Sequence, residues 1–467
     1  MPVITILIIA LITAFSGYFV VSFPPKAVLI GTVTLGIFIF AFLSTKLSLV
    51  LLLFSMLFSP EISLGRLSTD RSIVFRYDDI LLVTIFFSWF FKNAVLKSKP
   101  LITKTPLLVP LLLYTSLFII STFIGILKGN ISFYKSFFYV LKYVEYFLLY
   151  FMCVNIIEPE DIKKYSRYWL WIFIGVTLYA YYYYFNAVGG DVRTTAPFEA
   201  PLNSPRGAEP ASLGGFYLIA FSFLLALMKQ YGGKIFVYAV SFFVLAFPAF
   251  TYTFSRASYM GLVVIFVVFL FLGRERRIFG ILMAIGLTVF IAVMPATYQK
   301  VESRIKNTYS GEYATYKIRV LGADLQLEES AYMRYASLIT VLTKHLPESP
   351  LVGKGVTGVG LGDNQYSLLL GEIGVLGFFA FWFWIFKIYG MASEVYKKSG
   401  DPLFKSVALG VTMALSGLLV QGIGVNTFII VRIMEPFWFI VAVLTVVYGN
   451  LEKSQAIDKK IGKKVEK

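Results

Sequence analysis

Long apolar runs alternate with short polar connections through most of the chain. A helix that crosses a bilayer needs about 20 apolar residues, so the runs predict a series of membrane spans. The predicted spans lie near 2–22, 27–44, 47–58, 79–91, 106–126, 134–157, 168–186, 212–228, 235–251, 257–272, 278–295, 364–388, 404–423 and 428–449. The third and fourth are short and suit tilted or re-entrant segments. The pattern therefore predicts an all-α polytopic membrane protein with about 12–14 transmembrane helices.

One long polar segment, residues 296–363, interrupts this pattern, and connections of this length usually carry function. Within 325–346 apolar residues recur at spacings of three and four, which predicts an amphipathic helix. Asp324 suits the N-cap of that helix, and Pro347 suits its end. The predicted regions are an N-terminal transmembrane bundle (1–295), a long external loop (296–363), C-terminal transmembrane helices (364–450) and a basic cytoplasmic tail (451–467).

The composition supports a membrane protein, because 58% of the residues are hydrophobic and 18% are aromatic. The net charge of +16 is explained by cytoplasmic cations and anionic lipid. No basic and aromatic patch forms a soluble face, so no nucleic-acid partner is predicted. The single cysteine, Cys153, lies in an apolar run and excludes an intramolecular disulfide. The first apolar run lacks a small-residue cleavage site and is predicted to be an uncleaved span.

Charge distribution predicts the orientation, with both termini in the cytoplasm. This choice places the main basic clusters inside, at 92–104, 163–167, 274–277, 397–398 and 453–467. Most arginines fall outside, namely Arg66, Arg71, Arg76, Arg193, Arg206, Arg256, Arg304, Arg319, Arg334 and Arg432. A guanidinium binds phosphate or carboxylate through two parallel hydrogen bonds, so the external face is predicted to bind an anion. The alternative is that some of these arginines pair with carboxylates, namely Glu61, Asp78, Glu209, Glu329 or Glu435.

Two external arginines are candidate ligand contacts. Arg256 lies in a polar island, 251–258, between two apolar spans. An arginine within a membrane costs roughly 3 kcal/mol, so it normally faces a cavity and has a partner, unless it extends to lipid headgroups. Arg206 lies between Pro205 and Gly207 in an external loop, which suits either a ligand contact or an ordinary turn.

Other charged residues have close sequence neighbours of opposite charge. Arg76 lies next to Asp78 and Asp79 where an external loop meets a span, and an internal ion pair is the favoured interpretation. Pairs on one helical turn are predicted at a spacing of three residues. These pairs are Lys142 with Glu145 and Arg432 with Glu435.

Three further residues have acid–base chemistry. Asp363 begins a span and suits either its N-cap or a contact with a substrate hydroxyl. Glu372 lies deeper in that span and needs a cationic or hydrogen-bonded partner. His345 is the only histidine and hence the only side chain with an ordinary pKa near neutral pH, although its predicted position at a helix end favours capping. No phosphate-binding loop or metal-ligand spacing is present, so no metal is predicted.

Four segments follow one another around the long loop: Thr-Phe-Ser-Arg-Ala-Ser-Tyr-Met-Gly-Leu at 253–262, Arg334 four residues before Leu338, Ser-Pro-Leu-Val-Gly-Lys-Gly at 349–355, and Asp-Asn-Gln-Tyr-Ser-Leu-Leu-Leu-Gly-Glu-Ile-Gly-Val-Leu-Gly at 363–377. Together they resemble the membrane-embedded O-antigen ligase and O-antigen polymerase superfamily of glycosyltransferases. The similarity is clearest from about residue 200 to residue 390. It implies transfer of a glycan from a polyprenyl-diphosphate carrier at the outer side of the bacterial cytoplasmic membrane, without metal or soluble cofactor.

The resemblance also implies roles for individual residues. Arg256 and Arg334 match family arginines that bind the donor diphosphate, and Arg206 is a third candidate for that contact. Similar ligases carry a histidine at the position of Asp363, whereas Asp363 and Asn364 are compatible with a polymerase, whose acceptor is another carrier-linked glycan. The alternatives are a ligase that uses a lipid A-core or other acceptor, and a flippase for the same lipid-linked glycan. Chain-length regulators or other polysaccharide-assembly proteins are further candidate partners.

Overall fold

The apolar runs fold as helices in the computed structural model. The structure describes residues 25–66, 72–96, 103–188, 192–199, 209–272, 276–293, 295–310, 314–320, 323–360 and 362–465. The helices are α1 Pro25–Leu43, α2 Thr45–Phe58, α3 Tyr77–Leu96, α4 Leu108–Leu127, α5 Phe133–Ile156, α6 Ile162–Asn186, α7 Pro210–Gln230, α8 Gly233–Thr251, α9 Arg256–Leu272, α10 Arg277–Val293, α11 Pro295–Tyr309, α12 Glu329–Thr340, α13 Gln365–Lys398, α14 Pro402–Gln421 and α15 Val431–Val465. Two antiparallel hairpins pair β1 Glu61–Arg66 with β2 Ser72–Arg76 and β3 Tyr316–Val320 with β4 Ala323–Leu327.

Eight helices of the described chain are long and apolar enough to cross a membrane, namely α3, α4, α5, α7, α8, α13, α14 and α15. Apolar helices within α1, α2, α9 and α10 are shorter. Every predicted span from the second onward corresponds to one helix, whereas the first, 2–22, lies outside the described residues. The prediction of an all-α polytopic membrane protein is confirmed at this level.

Connections between consecutive helices lie alternately at two opposite ends of the bundle. Backbone bonds at the first end join Thr194 N to Tyr252 O (2.9 Å) and Gln365 N to Gly422 O (2.9 Å). Side-chain bonds at the second end join Lys46 to Glu158 (2.6 Å) and Asp161 (2.7 Å), and Tyr448 to Glu394 (3.3 Å). The long loop lies at the first end, and the basic segments 163–167 and 397–398 lie at the second.

A buried glutamine joins three helices beneath the first end. Gln421, at the end of α14, donates from Nε2 to Ala211 O in α7 and to Ser258 Oγ in α9, each at 2.9 Å. Its Oε1 accepts from Thr427 Oγ1 at 3.3 Å. An amide with no exposed surface needs such partners, because an unsatisfied polar group in the interior is costly. These bonds hold the first turns of α7 and α9 side by side.

The predicted amphipathic helix is present but begins later than expected. Residues 323–327 form β4, which pairs antiparallel with β3 in the register Tyr316 to Leu327 and Val320 to Ala323. Apolar residues at 323, 325 and 327 also fit the two-residue period of a strand, so the pattern before 328 was ambiguous. The prediction of Asp324 as the N-cap is therefore wrong, since α12 begins at Glu329 after Glu328.

The end of this helix also differs from the prediction. The chain continues past Thr340 through a π-helical turn, Val341–His345, and a last turn, Leu346–Glu348. Pro347 lies in that last turn instead of ending the helix before it. Proline is tolerated in the first turn of a helical segment, and the π-helical turn changes the hydrogen-bond register just before it.

The glycine-rich loop after α12 docks into a break in α13. Gly374 interrupts the helix with φ 65° and ψ −167°, a left-handed conformation that favours glycine. The freed amides around the break bond to the loop, from Val375 N to Pro350 O (2.9 Å) and from Leu376 N to Leu351 O (3.1 Å). Glu372 Oε1 accepts from Thr357 N at 2.7 Å, which supplies the hydrogen-bonded partner that its burial requires. Glu372 thus fixes the loop against α13.

Candidate functional site

A cavity of about 1790 Å³ opens at the first end of the bundle, between the long loop and the first turns of α7, α9 and α13. Its described wall includes four arginines, Arg193, Arg256, Arg304 and Arg334. The carboxylates of the same wall are Glu209, Glu328, Glu329 and Asp363. Small-molecule sites usually measure about 300–1,000 Å³, so this cavity has room for a larger ligand. Its charged lining suits a polar, anionic one.

Arg256 reaches from the first turn of α9 to the long loop. Its Nη1 donates to Arg304 O at 3.2 Å and also bonds to Thr308 Oγ1, and its Nη2 forms an ion pair with Glu328 Oε1. The side chain keeps 23% of its surface exposed. The expected carboxylate partner is therefore present, and the guanidinium still faces the cavity.

Arg334 faces the same cavity from α12. Its Nε donates to Gly424 O at 2.8 Å, and its Nη2 lies 3.9 Å from Asp363 Oδ2. Burial lowers the pKa of Arg334; the carboxylate of Asp363 opposes this shift, and the charge of Arg256 adds to it. Both guanidiniums line the same cavity, so an anion bound there is attracted by both.

The Asp363 side chain is available to the cavity because the next residue, Asn364, caps the helix that follows. Asn364 is the N-cap of α13, because its Oδ1 accepts from Tyr366 N (3.0 Å) and Ser367 N (3.2 Å). The alternative that Asp363 caps this helix is therefore wrong. Asp363 itself has φ 47°, a left-handed conformation that aspartate adopts more readily than most residues. Its side chain is 56% exposed, and its Oδ2 atom lies near Arg334 Nη2.

Glu209 is a cavity residue that the sequence indicated only as an ion-pair partner. It directly precedes α7, and its side chain is exposed to the cavity. Surrounding protein nevertheless displaces bulk water, and this desolvation raises the pKa of Glu209 to about 7, with further raising by Glu199 and Asp363. The position before Pro210, three residues after Arg206, was the available sequence signal.

His345 lines another part of the cavity, within the π-helical turn and not at a helix end. Burial lowers the pKa of His345, and the nearby charge of Lys354 lowers it further. Its other charged neighbours are Glu348 and Lys344.

Arg76 belongs to a buried ionic cluster away from this cavity wall. Its guanidinium forms an ion pair with Asp78 and lies 3.6 Å from Glu435, and its backbone N donates to Asp79 at 2.9 Å. This confirms the internal ion pair. Ligand atoms of Asp78, Asp79 and Glu435 lie within 4.8 Å of one another, as in a metal site. The Arg76 guanidinium, however, already pairs with Asp78 and Glu435, so two of these three carboxylates have a cationic partner without a metal ion.

The other predicted residues are not part of the described cavity wall. Lys142 and Glu145 pair at 3.1 Å as predicted. Arg432 donates to Leu57 O (2.8 Å) and Ser59 O (3.1 Å). Arg206 lies outside the described residues. Glu372 is not among the residues that line the cavity.

A comparison with known protein families finds no family that matches the sequence, and a comparison with curated proteins finds no significant relative. Geometry and residue chemistry therefore carry the functional conclusion.

Proposed function

We propose that this protein is a glycosyltransferase that moves an oligosaccharide from a polyprenyl-diphosphate carrier onto another carrier-linked glycan. The observation that carries the proposal is the convergence of Arg256, Arg334 and Asp363 on one cavity beside the membrane-spanning helices. The donor has a lipid tail, a diphosphate and a glycan. A cavity with an arginine-rich wall at the end of an apolar bundle fits all three parts.

The main requirement of this reaction is to stabilise the negative charge that develops on the leaving diphosphate; no covalent enzyme intermediate is needed. The bond between the sugar carbon C1 and the diphosphate oxygen breaks, and its electron pair leaves with the diphosphate. Guanidiniums that donate to this leaving group stabilise the charge as it develops. Each 1.36 kcal/mol of stabilisation gives about tenfold in rate. In this proposal Arg256 and Arg334 bind the diphosphate, Glu328 holds Arg256 in position, and no metal or soluble cofactor takes part.

Asp363 orients the acceptor. Its carboxylate lies beside Arg334, so a hydroxyl bound to it approaches C1 next to the leaving diphosphate. The new bond joins the acceptor oxygen to C1. Alignment of this kind is a major part of the rate advantage of bound reactants. Asp363 stands where similar ligases carry a histidine, and an aspartate at this position is compatible with a polymerase.

The orientation that we propose places this cavity on the outer face of a bacterial cytoplasmic membrane, with 12–14 spans and both termini inside. The lysine-rich connections at the opposite end of the bundle support it. A carrier-linked donor already contains a good leaving group, the polyprenyl diphosphate, so transfer at this face needs no ATP.

The test incubates purified protein with a synthetic polyprenyl-diphosphate oligosaccharide and separates the products by size. A ladder of products from the donor alone supports a polymerase. A single product that requires an added lipid or protein acceptor indicates a ligase. An unchanged donor that crosses the bilayer of a proteoliposome indicates a flippase and contradicts the proposal.

A further inference from the structure

Two of the four acids in the described cavity wall, Glu209 and Glu329, have no paired partner. Asp363 faces Arg334, and Glu328 pairs with Arg256. In the described part of the chain, by contrast, the Glu209 carboxylate forms no hydrogen bond or ion pair. An acid in a charged cavity that is not neutralised by a partner is available to accept a proton from a ligand.

The backbone of Glu209 is nevertheless firmly placed. Its carbonyl accepts from Ser212 N at 2.9 Å, and its amide donates to Glu199 Oε1 at 3.4 Å. The next turn of α7 is tied to α14 through Ala211 O and Gln421. The side chain therefore projects from a rigid helix start, which suits a group that must meet a reacting atom accurately.

Glu209 lines the same cavity as Asp363, the residue assigned to the acceptor. It interacts electrostatically with Asp363 and with the cations of Arg193 and Arg334. His345 has a different set of charged neighbours, centred on Lys354. The Glu209 carboxylate thus lines the cavity together with the residues assigned to the donor diphosphate and the acceptor hydroxyl, and it interacts electrostatically with Arg334 and Asp363.

We propose that Glu209 is the general base of the reaction, accepting the proton of the acceptor hydroxyl. This role rests on the proposed glycosyl transfer. As the acceptor oxygen bonds to C1, the O–H bond breaks and its proton passes to the Glu209 carboxylate, while the electron pair of the C1–O bond leaves with the diphosphate. The proton later returns to water. Asp363, which is paired with Arg334, orients the hydroxyl.

The acid–base behaviour of Glu209 agrees with this role. Desolvation raises its pKa to about 7, and a general base is most effective when its pKa lies near the operating pH. A base acts in its deprotonated form. The rate should therefore rise with pH up to about 7 and level off above it.

The experiment measures transfer by wild-type and Glu209→Gln protein from pH 5 to pH 9. We expect the glutamine variant to lose about 10²–10⁴-fold in kcat and to lose the rise near neutral pH. Donor affinity, measured by equilibrium binding, should change little. Glu302→Gln removes an acid of α11 that pairs with Lys306 and does not line the cavity, so it should keep both the rate and the profile.

The possible results separate the two proposals. A folded Glu209→Gln variant with a wild-type rate overturns the role of Glu209 alone, as does an unchanged pH profile. Loss of the rise in His345→Asn and not in Glu209→Gln would assign the base to His345. A wild-type protein that binds donor but transfers no glycan overturns the proposed function, and the role of Glu209 with it.

Discussion

The Nη2 atom of Arg334 lies 3.9 Å from the Oδ2 atom of Asp363. This pair joins α12, in the long loop, to the start of α13, a helix of the bundle. The cavity is therefore closed on one side by two elements whose polar residues meet only in the folded chain. In our proposal the donor and the acceptor meet at this point.

Lysine should not replace the two cavity arginines that we assign to the donor diphosphate. We expect Arg256→Lys and Arg334→Lys each to lower the rate of transfer about ten- to a hundredfold, because an ammonium keeps the charge but loses the fork of donors. At Arg334 one nitrogen binds Gly424 O while another faces Asp363. Product formation by purified variants measures the effect.

The matched control is Arg277→Lys, at the opposite end of the bundle, where the guanidinium is exposed and donates to Leu270 O. It should transfer at the wild-type rate. If both cavity variants kept full activity, Arg256 and Arg334 would not be the residues that bind the diphosphate.

Cysteine labelling tests the orientation in a Cys153→Ser background. Ser310 is exposed at the cavity end, so Ser310→Cys should react with a membrane-impermeant maleimide in intact cells. Ser399 is only 7% exposed, so Gly400, which is exposed and has open space around it, is the better internal site. Gly400→Cys should react only after permeabilisation. The reverse labelling pattern would place the cavity in the cytosol.

The break in α13 depends on glycine. A Cβ at Gly374 would lie 2.5 Å from the carbonyl carbon of Leu351, and the left-handed backbone adds about 1–2 kcal/mol of strain for other residues. We expect Gly374→Ala to lower the melting temperature of the purified protein. Gly390→Ala lies in the same helix with no atom near its Cβ and should leave stability equal or raise it by up to about 1 kcal/mol. Equal melting of the two variants would show that the loop does not depend on this break.

Arg76 is expected to stabilise the fold. Arg76→Met leaves Asp78 and Glu435 buried without this cation, which costs about 3–5 kcal/mol. Lys46→Met removes an exposed cation from its ion pairs with Glu158 and Asp161 at the other end, where the cost of each exposed pair is about 0–1 kcal/mol. Size-exclusion profiles and melting curves measure both. A well-folded Arg76→Met protein with wild-type melting would instead point to a ligand or proton that balances the cluster.

The spans were predictable because each apolar run carries its own signal. The arginines of the cavity wall were also visible in the sequence, because they all lie in segments predicted to connect spans at one end of the bundle. The convergence of Arg256 with Glu328 was not, because the two residues are 72 positions apart and meet through α11 and β4.

Two details show where local patterns were insufficient. The capping role of Asn364 depends on which residue leaves the helix geometry first, and adjacent Asp363 has an equally suitable side chain. Glu209 has no distinctive sequence motif, and its role depends on walls supplied by other parts of the chain. Sequence could predict the cavity's charge, but not which carboxylates of its described wall have a paired cation.

The most direct test of the central claim measures the lipid product of the purified wild-type protein in the presence of EDTA. Glycosyl transfer breaks the bond between C1 and oxygen, so we expect one polyprenyl diphosphate to be released for each new glycosidic bond, as measured by mass spectrometry. Release of polyprenyl monophosphate, or formation of glycosidic bonds without release of polyprenyl diphosphate, would contradict the account.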